Sequence, residues 1–168
     1  MSVYNVHDTL YEENGCFKLT REESRILWKK RYSSIVYCPD VDERKPGAMY
    51  PRCVEIKHGG NKGALLATFE CYTHSQPVFP IYESTDQGKS WRKISEVRDN
   101  EKNFGCRFQP HIFELPVKCG NLEAGTLLCA GNIIPDDFSS CYLHIYKSTD
   151  MGRSWEFMSE IISGGEAR

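Results

Sequence analysis

The sequence predicts an all-β chain folded as a partial β-propeller of about two four-stranded meander blades. Three observations carry that prediction. The strings Ser84-Thr85-Asp86-Gln87-Gly88-Lys89-Ser90-Trp91 and Ser148-Thr149-Asp150-Met151-Gly152-Arg153-Ser154-Trp155 spell one motif, S-T-D-x-G-[KR]-S-W, twice. Upstream of each copy, the same series of short apolar runs recurs in the same order. Polar connections with turn-forming residues separate the runs, as they separate strands. A β-sandwich also uses many short strands, but an aligned repeat of whole four-strand units favours the propeller.

Residues 1–40 are read as an N-terminal segment. Leu19 to Lys30 has helix-compatible charge, with Thr20 as a cap and Glu23 three residues on. Tyr32 to Cys38 alternates and carries β-branched and aromatic residues, which predicts a strand. Asp40 to Gly47 reads as a polar loop. The first blade then occupies 41–103 and the second 104–168. Pro51 to Ile56 and Pro110 to Leu115 are the first strands of the two units. Gly63 to Ala67 and Gly125 to Cys129 are the second strands, apolar runs that suit burial on both faces. Val78 to Tyr82 and Tyr142 to Tyr146 are the third. Arg92 to Val97 and Glu156 to Ile161 are the fourth, outer and more polar.

The repeated motif has the chemistry of a hairpin turn. Asp86 and Asp150, with Ser84 and Ser148, can accept hydrogen bonds from turn N–H groups, and Gly88 and Gly152 can take a positive φ. Trp91 and Trp155 give each hairpin a large apolar anchor. A calcium loop would need more oxygen ligands at fixed offsets, where Lys89 and Arg153 stand instead.

The chain has 168 residues and a net charge of −2 with interleaved signs. It has no basic stripe, so no nucleic acid is expected as partner. No run is apolar enough to span a membrane, and no signal peptide is visible. The cytoplasm is favoured on that ground, and export if the start is incomplete. Two blades fall short of a ring, so a fragment, a truncated reading frame or an open partial ring is expected, with self-association through an open blade edge. Of the eight cysteines, Cys53, Cys71, Cys129 and Cys141 fall in or beside strands and are read as buried free thiols, with disulfides second. Cys16, Cys38, Cys106 and Cys119 lack zinc-site spacing, and neither metal nor cofactor is expected.

Meander order sorts the loops. The S-T-D-x-G-[KR]-S-W turns lie on one rim, and the second-to-third and blade-to-blade connections lie on the other. Function concentrates in loops on a rigid scaffold. The second rim gathers Tyr50, Arg52, Arg107, Phe108, Gln109, His111, Glu70, Tyr72, Thr73, His74, Gln76, Asn132, Asp136, Asp137 and Ser139. Amides and carboxylates bind hydroxyls, aromatic faces cover C–H faces, and arginine pairs with carboxylates, so the mixture suits sugar recognition. Glycoside hydrolysis commonly needs two carboxyl groups, for which Glu70, Asp136 and Asp137 are candidates. Arg52, Tyr72, His74, Gln109, His111 and Asn132 are candidates for substrate contact. Purely structural roles compete with these. Arg52 could pair with a neighbouring acid, His74 and His111 could be satisfied polar residues, and Asp136 could start the turn after Pro135. Glu55 and Glu114 recur at equivalent strand positions, which argues for a structural role.

The duplicated motif resembles the Asp-box, or BNR repeat, of sialidases and related glycoside hydrolases. Tyr50-Pro51-Arg52, and Gln109-Pro110-His111 with Ala124-Gly125-Thr126-Leu127-Leu128, resemble the sialidase-like subgroup that includes exo-arabinanases. The resemblance covers roughly 48–168. It implies the first third to half of a six-bladed exo-glycosidase that acts on or binds a glycan or oligosaccharide. The sialidase Arg-Ile-Pro motif is not matched at Pro51-Arg52, and the remaining catalytic groups of such enzymes would lie in later blades. The chain is therefore expected to be catalytically incomplete. A non-catalytic propeller module that binds carbohydrate or protein is the alternative.

Overall fold

The computed structural model describes residues 11–13, 16–18, 34–38, 47–73 and 75–166. The chain divides into two units, Met1–Ser34 and Ile35–Arg168. In the first, β1 (Tyr11–Glu13) and β2 (Cys16–Lys18) pair antiparallel, with Tyr11 opposite Lys18 and Glu13 opposite Cys16. The expectations for residues 1–40 do not include that hairpin, although Asn14-Gly15 between the two strands is a hairpin-turn dipeptide. The helix expected over Leu19 to Lys30, most of the loop before Gly47, and His74 lie outside the described residues.

The second unit holds two four-stranded antiparallel sheets, each a meander running from an inner to an outer strand. Blade 1 is β3 (Ala48–Glu55), β4 (Leu65–Cys71), β5 (Phe79–Ser84) and β6 (Arg92–Val97). Blade 2 is β7 (Gly105–Glu114), β8 (Leu127–Ile134), β9 (Cys141–Ser148) and β10 (Glu156–Gly165). This is a partial β-propeller. Both inner strands begin earlier than the sequence predicts, at Ala48 and Gly105, because each ladder breaks register and then resumes. The breaks fall between Met49 and Arg52 and between Arg107 and His111. Pro51 and Pro110 sit inside them, where a residue with no N–H to give the ladder is tolerated.

One apolar core joins the blades. Leu66, Phe79, Ile81 and Val97 of blade 1 pack with Cys106, Ile112, Leu127, Cys129, Ile133 and Tyr146 of blade 2. Phe79 lies so close to Gly131 that a Cβ there would stand 2.2 Å from the ring. Only glycine fits. A smaller cluster, Phe69, Cys71 and Val78, covers the opposite face of blade 1 with Val36 and Tyr37. Tyr37 stacks on Phe69 at 5.3 Å. Residues 34–38, expected within a strand, are not one. They form a cap whose aromatic side chain finds a partner on the sheet face rather than at its edge.

The twin turns have matching geometry. Ser84 Oγ donates to Asp86 Oδ1 at 2.8 Å and accepts from Gly88 N at 2.8 Å. Ser90 gives both its N–H and its hydroxyl to Asp86. Ser148, Asp150, Gly152 and Ser154 repeat these bonds. Gly88 and Gly152 have φ of 82° and 83°, and Gln87 and Met151 before them are also left-handed. The second turn reaches further than the first. Trp155 Nε1 donates to Ser95 Oγ at 3.1 Å, and Ser95 donates to the Gly152 carbonyl. It thus clasps β6 of the neighbouring blade.

Buried acids extend that clasp. Glu114 accepts the N–H groups of Lys57 at 2.7 Å and His58 at 3.1 Å, across the blade boundary. Its repeat counterpart Glu55 is half exposed and pairs with Lys57. Glu83 is held by Arg92 at 2.6 Å and Asn61 at 2.7 Å. Cys71, Cys106 and Cys129 are buried free thiols, and burial pushes the Cys129 thiol up to about 12. Two cysteines depart from the expected burial. Cys53 is exposed, because β3 presents that side to solvent, and Cys141 at the start of β9 is only half buried.

Candidate functional site

The rim opposite the twin turns brings together side chains from three chain segments. Glu70 lies at the end of β4 and is fully buried. It accepts a hydrogen bond from the Tyr72 hydroxyl, two residues on. Arg107 lies just before the register break of β7 and is 8% exposed. Its guanidinium donates to Asp136 Oδ1 at 2.7 Å. It also lies 5.6 Å from the Tyr72 ring centre and 4.8 Å from that of Phe138, cation–π geometry on both sides. Asn132 stands opposite Arg107 in the β7–β8 ladder. The meander therefore delivers one network: Glu70, Tyr72, Arg107 and Asp136, with Phe138 as a flank.

The electrostatics of the network follow from burial. Desolvation raises the Glu70 carboxyl above its ordinary range, and the Tyr72 hydroxyl, the nearby Phe108 N–H and the Arg107 charge only partly offset it. Tyr72 is pushed up to about 12, first by burial and then by the Glu70 carboxylate it bonds. Two buried polar atoms of the network, Glu70 Oε2 and Arg107 Nε, have no hydrogen-bond partner among the described residues. Leaving such a group unpaired costs about 1–3 kcal/mol.

Backbone strain gathers on the same rim. Tyr50, Phe108, Gln109 and Phe138 have φ of 54°, 53°, 45° and 56°. Left-handed backbone is uncommon for bulky side chains and costs on the order of 1–3 kcal/mol at each position. Tyr50, Phe108 and Gln109 belong to the register breaks of β3 and β7. Phe138 closes the turn begun at Pro135, whose carbonyl accepts its N–H at 3.0 Å.

The remaining candidates lie apart from the network. Arg52 is exposed and donates to the Pro51 carbonyl at 2.9 Å. Gln109 and His111 are exposed on β7. Asp137 accepts the Ser139 N–H at 3.0 Å, and that bond first of all lowers its carboxyl below the ordinary range, so its structural use is to shape the turn. Arg107 and Phe138 carry more of the network than sequence reasoning assigns to them. An arginine three residues before the strand-breaking Pro110 is the signal that marks Arg107. Phe138 has no such signal, since its left-handed conformation is invisible in the sequence.

A cleft of about 410 Å³ opens on the twin-turn rim and includes His58, Glu114, Asn121, Lys147, Thr149 and Met151 among its lining residues. Its buried acid, Glu114, is already occupied by two backbone N–H groups. Among the described residues no group of histidine, cysteine and acidic side chains has the arrangement of a metal site. No helix there is long and apolar enough to cross a membrane.

No protein-family model and no curated protein matches the chain. Solved structures do. The GH93 α-L-arabinofuranosidase of Fusarium graminearum, in complex with arabinobiose, shares 42% identity over 73% of this chain, with a TM-score of 0.68. The α-L-arabinanase of Penicillium chrysogenum, also complexed with arabinobiose, shares 45% identity over 73% of it, with a TM-score of 0.68. In each case the match covers 34% of the solved enzyme, so this chain spans about a third of the length of the structures it resembles.

Proposed function

We propose that the chain is part of a glycoside hydrolase of the exo-arabinanase or arabinofuranosidase kind, and that the Glu70–Tyr72–Arg107–Asp136 rim binds the oligosaccharide. The observation that carries this reading is the pair of buried, unpaired atoms, Glu70 Oε2 and Arg107 Nε, within one network. An unmet acceptor and an unmet donor match the hydroxyl groups of a sugar, which reach these buried atoms once a neighbouring side chain moves aside. Identity of 42–45% with two enzymes solved with arabinobiose supports the same ligand class. The wider sialidase-like, Asp-box kinship belongs to this proposal too, and the repeated Ser-Asp-Gly turn geometry supports it.

The roles follow from the chemistry. The Tyr72 hydroxyl occupies Glu70 Oε1, which leaves Oε2 for the sugar, as acceptor when ionised and as donor when the raised carboxyl holds its proton. Tyr72 orients it, and Arg107, steadied by Asp136, presents its remaining donors. The chain by itself is proposed to bind rather than to turn over.

Calorimetric titration of the 168-residue chain with arabinobiose tests this. Binding is expected, weakened about tenfold by Tyr72→Phe, which keeps the ring and removes the hydroxyl, and by Arg107→Ala. Failure to bind arabinobiose sinks the reading. Rapid hydrolysis of aryl arabinosides or sialosides by the isolated chain sinks its incompleteness.

A further inference from the structure

Beside the polar network runs an arc of three aromatic rings. Tyr50 and Phe108 meet edge to face with centroids 6.5 Å apart, and Phe108 and Phe138 follow at 6.5 Å. Phe138 in turn lies on Arg107. The three rings come from the start of β3, the start of β7 and the β8–β9 connection, so three separate segments converge to make one surface. Tyr50 is 38% exposed and Phe138 44%.

Burial does not explain this arrangement. Seven described non-glycine residues have positive φ, and the three aromatic ones among them are the three members of the arc. The backbone holds each in a conformation that bulky residues avoid, yet leaves at least two of the rings substantially in solvent. Strain kept at an exposed aromatic surface points to something that surface contacts.

Resting on the oligosaccharide reading above, we propose that Tyr50, Phe108 and Phe138 form a stacking track that carries the second and third sugar units of a neutral oligosaccharide outward from the Arg107 centre. Sugar rings present C–H faces that pack on aromatic faces, while their hydroxyls stay in water. The arc has the required chemistry. It bears no charge, it borders the donors of Arg107, and its successive centroids are spaced on the scale of a sugar residue.

The test is the dependence of affinity on ligand length, measured by calorimetry on the whole chain with arabinose, arabinobiose and the corresponding trisaccharide. Affinity is expected to rise at each step, about tenfold or more from first to last. Tyr50→Asn and Phe108→Asn place a residue that tolerates left-handed backbone where the ring stood. These variants are expected to fold at least as stably as the parent, to keep arabinose binding and to lose most of the length dependence. Phe138→Tyr is expected to retain it. Equal affinity for all three sugars, or an unchanged trisaccharide affinity in both Asn variants, overturns the track while leaving the function reading in place. No binding of any of the three overturns both.

Discussion

The two blades share one repeat and differ in what covers them. Val97 on β6 is fully buried, whereas Ile161, its repeat counterpart on β10, is 56% exposed. Ile94 packs into the shared core, while Met158 at the matching position is 41% exposed. Ile81 is fully buried and Ile145 only half buried. The same sequence pattern thus sits in two environments. Blade 1 packs on blade 2 through one face and carries Val36 and Tyr37 on the other, whereas the outer strand of blade 2 stands exposed. Burial in a repeat fold is set by the neighbour, not by the strand.

Core truncation should expose that difference most strongly. Ile81→Ala should cost about 3–4 kcal/mol in urea unfolding, the usual range for a buried isoleucine that leaves a cavity. Ile161→Ala should change stability by less than about 0.5 kcal/mol. Equal losses would mean that the exposed strand is covered in solution. The acids give the next contrast. Glu114→Ala strands two buried N–H groups and should cost about 2–3 kcal/mol, against about 0.5 kcal/mol or less for the exposed Glu55→Ala.

The turns differ less. Asp150→Asn should cost more than Asp86→Asn, because the second turn also seats against Leu66 and Ile94 of blade 1. Partial burial tends to raise the Asp150 carboxyl, but hydrogen bonds from Ser154, Ser148 and Arg153 outweigh it and bring it down to about 2. Its folded value therefore lies below the unfolded 3.8. Its contribution is complete above pH 3.8 and fades as the pH falls toward 2. Acid titration of stability should show a shallower loss across that window in Asp150→Asn.

These contrasts also mark how far the sequence reaches. The offset between Ser84 and Ser148 sets the blade order, and meander logic then places Glu70, Tyr72, Asn132 and Asp136 on one rim. Local patterning is sufficient there, because each step depends only on strand order. It fails where the partner is distant. Glu55 and Glu114 are alike in sequence, yet only Glu114 meets a loop of the preceding blade. The strand read over Tyr32 to Cys38 has β-forming residues, but Tyr37 finds its partners in Phe69 and Tyr82 instead. The register breaks that make Tyr50, Phe108 and Gln109 left-handed depend on the pairing of β3 with β4 and of β7 with β8, which no local propensity encodes. Gly131 looks like a weak point in a strand until Phe79 is placed against it.

Above all, the rim opposite the twin turns is assigned to the sugar, and a crystal structure of the chain soaked with arabinobiose would locate the ligand. The disaccharide should lie between Tyr72, Arg107 and Phe138, with a hydroxyl in contact with Glu70 Oε2 or Arg107 Nε. Density in the cleft beside His58 and Glu114, with the Glu70 rim left bare, would overturn the assignment.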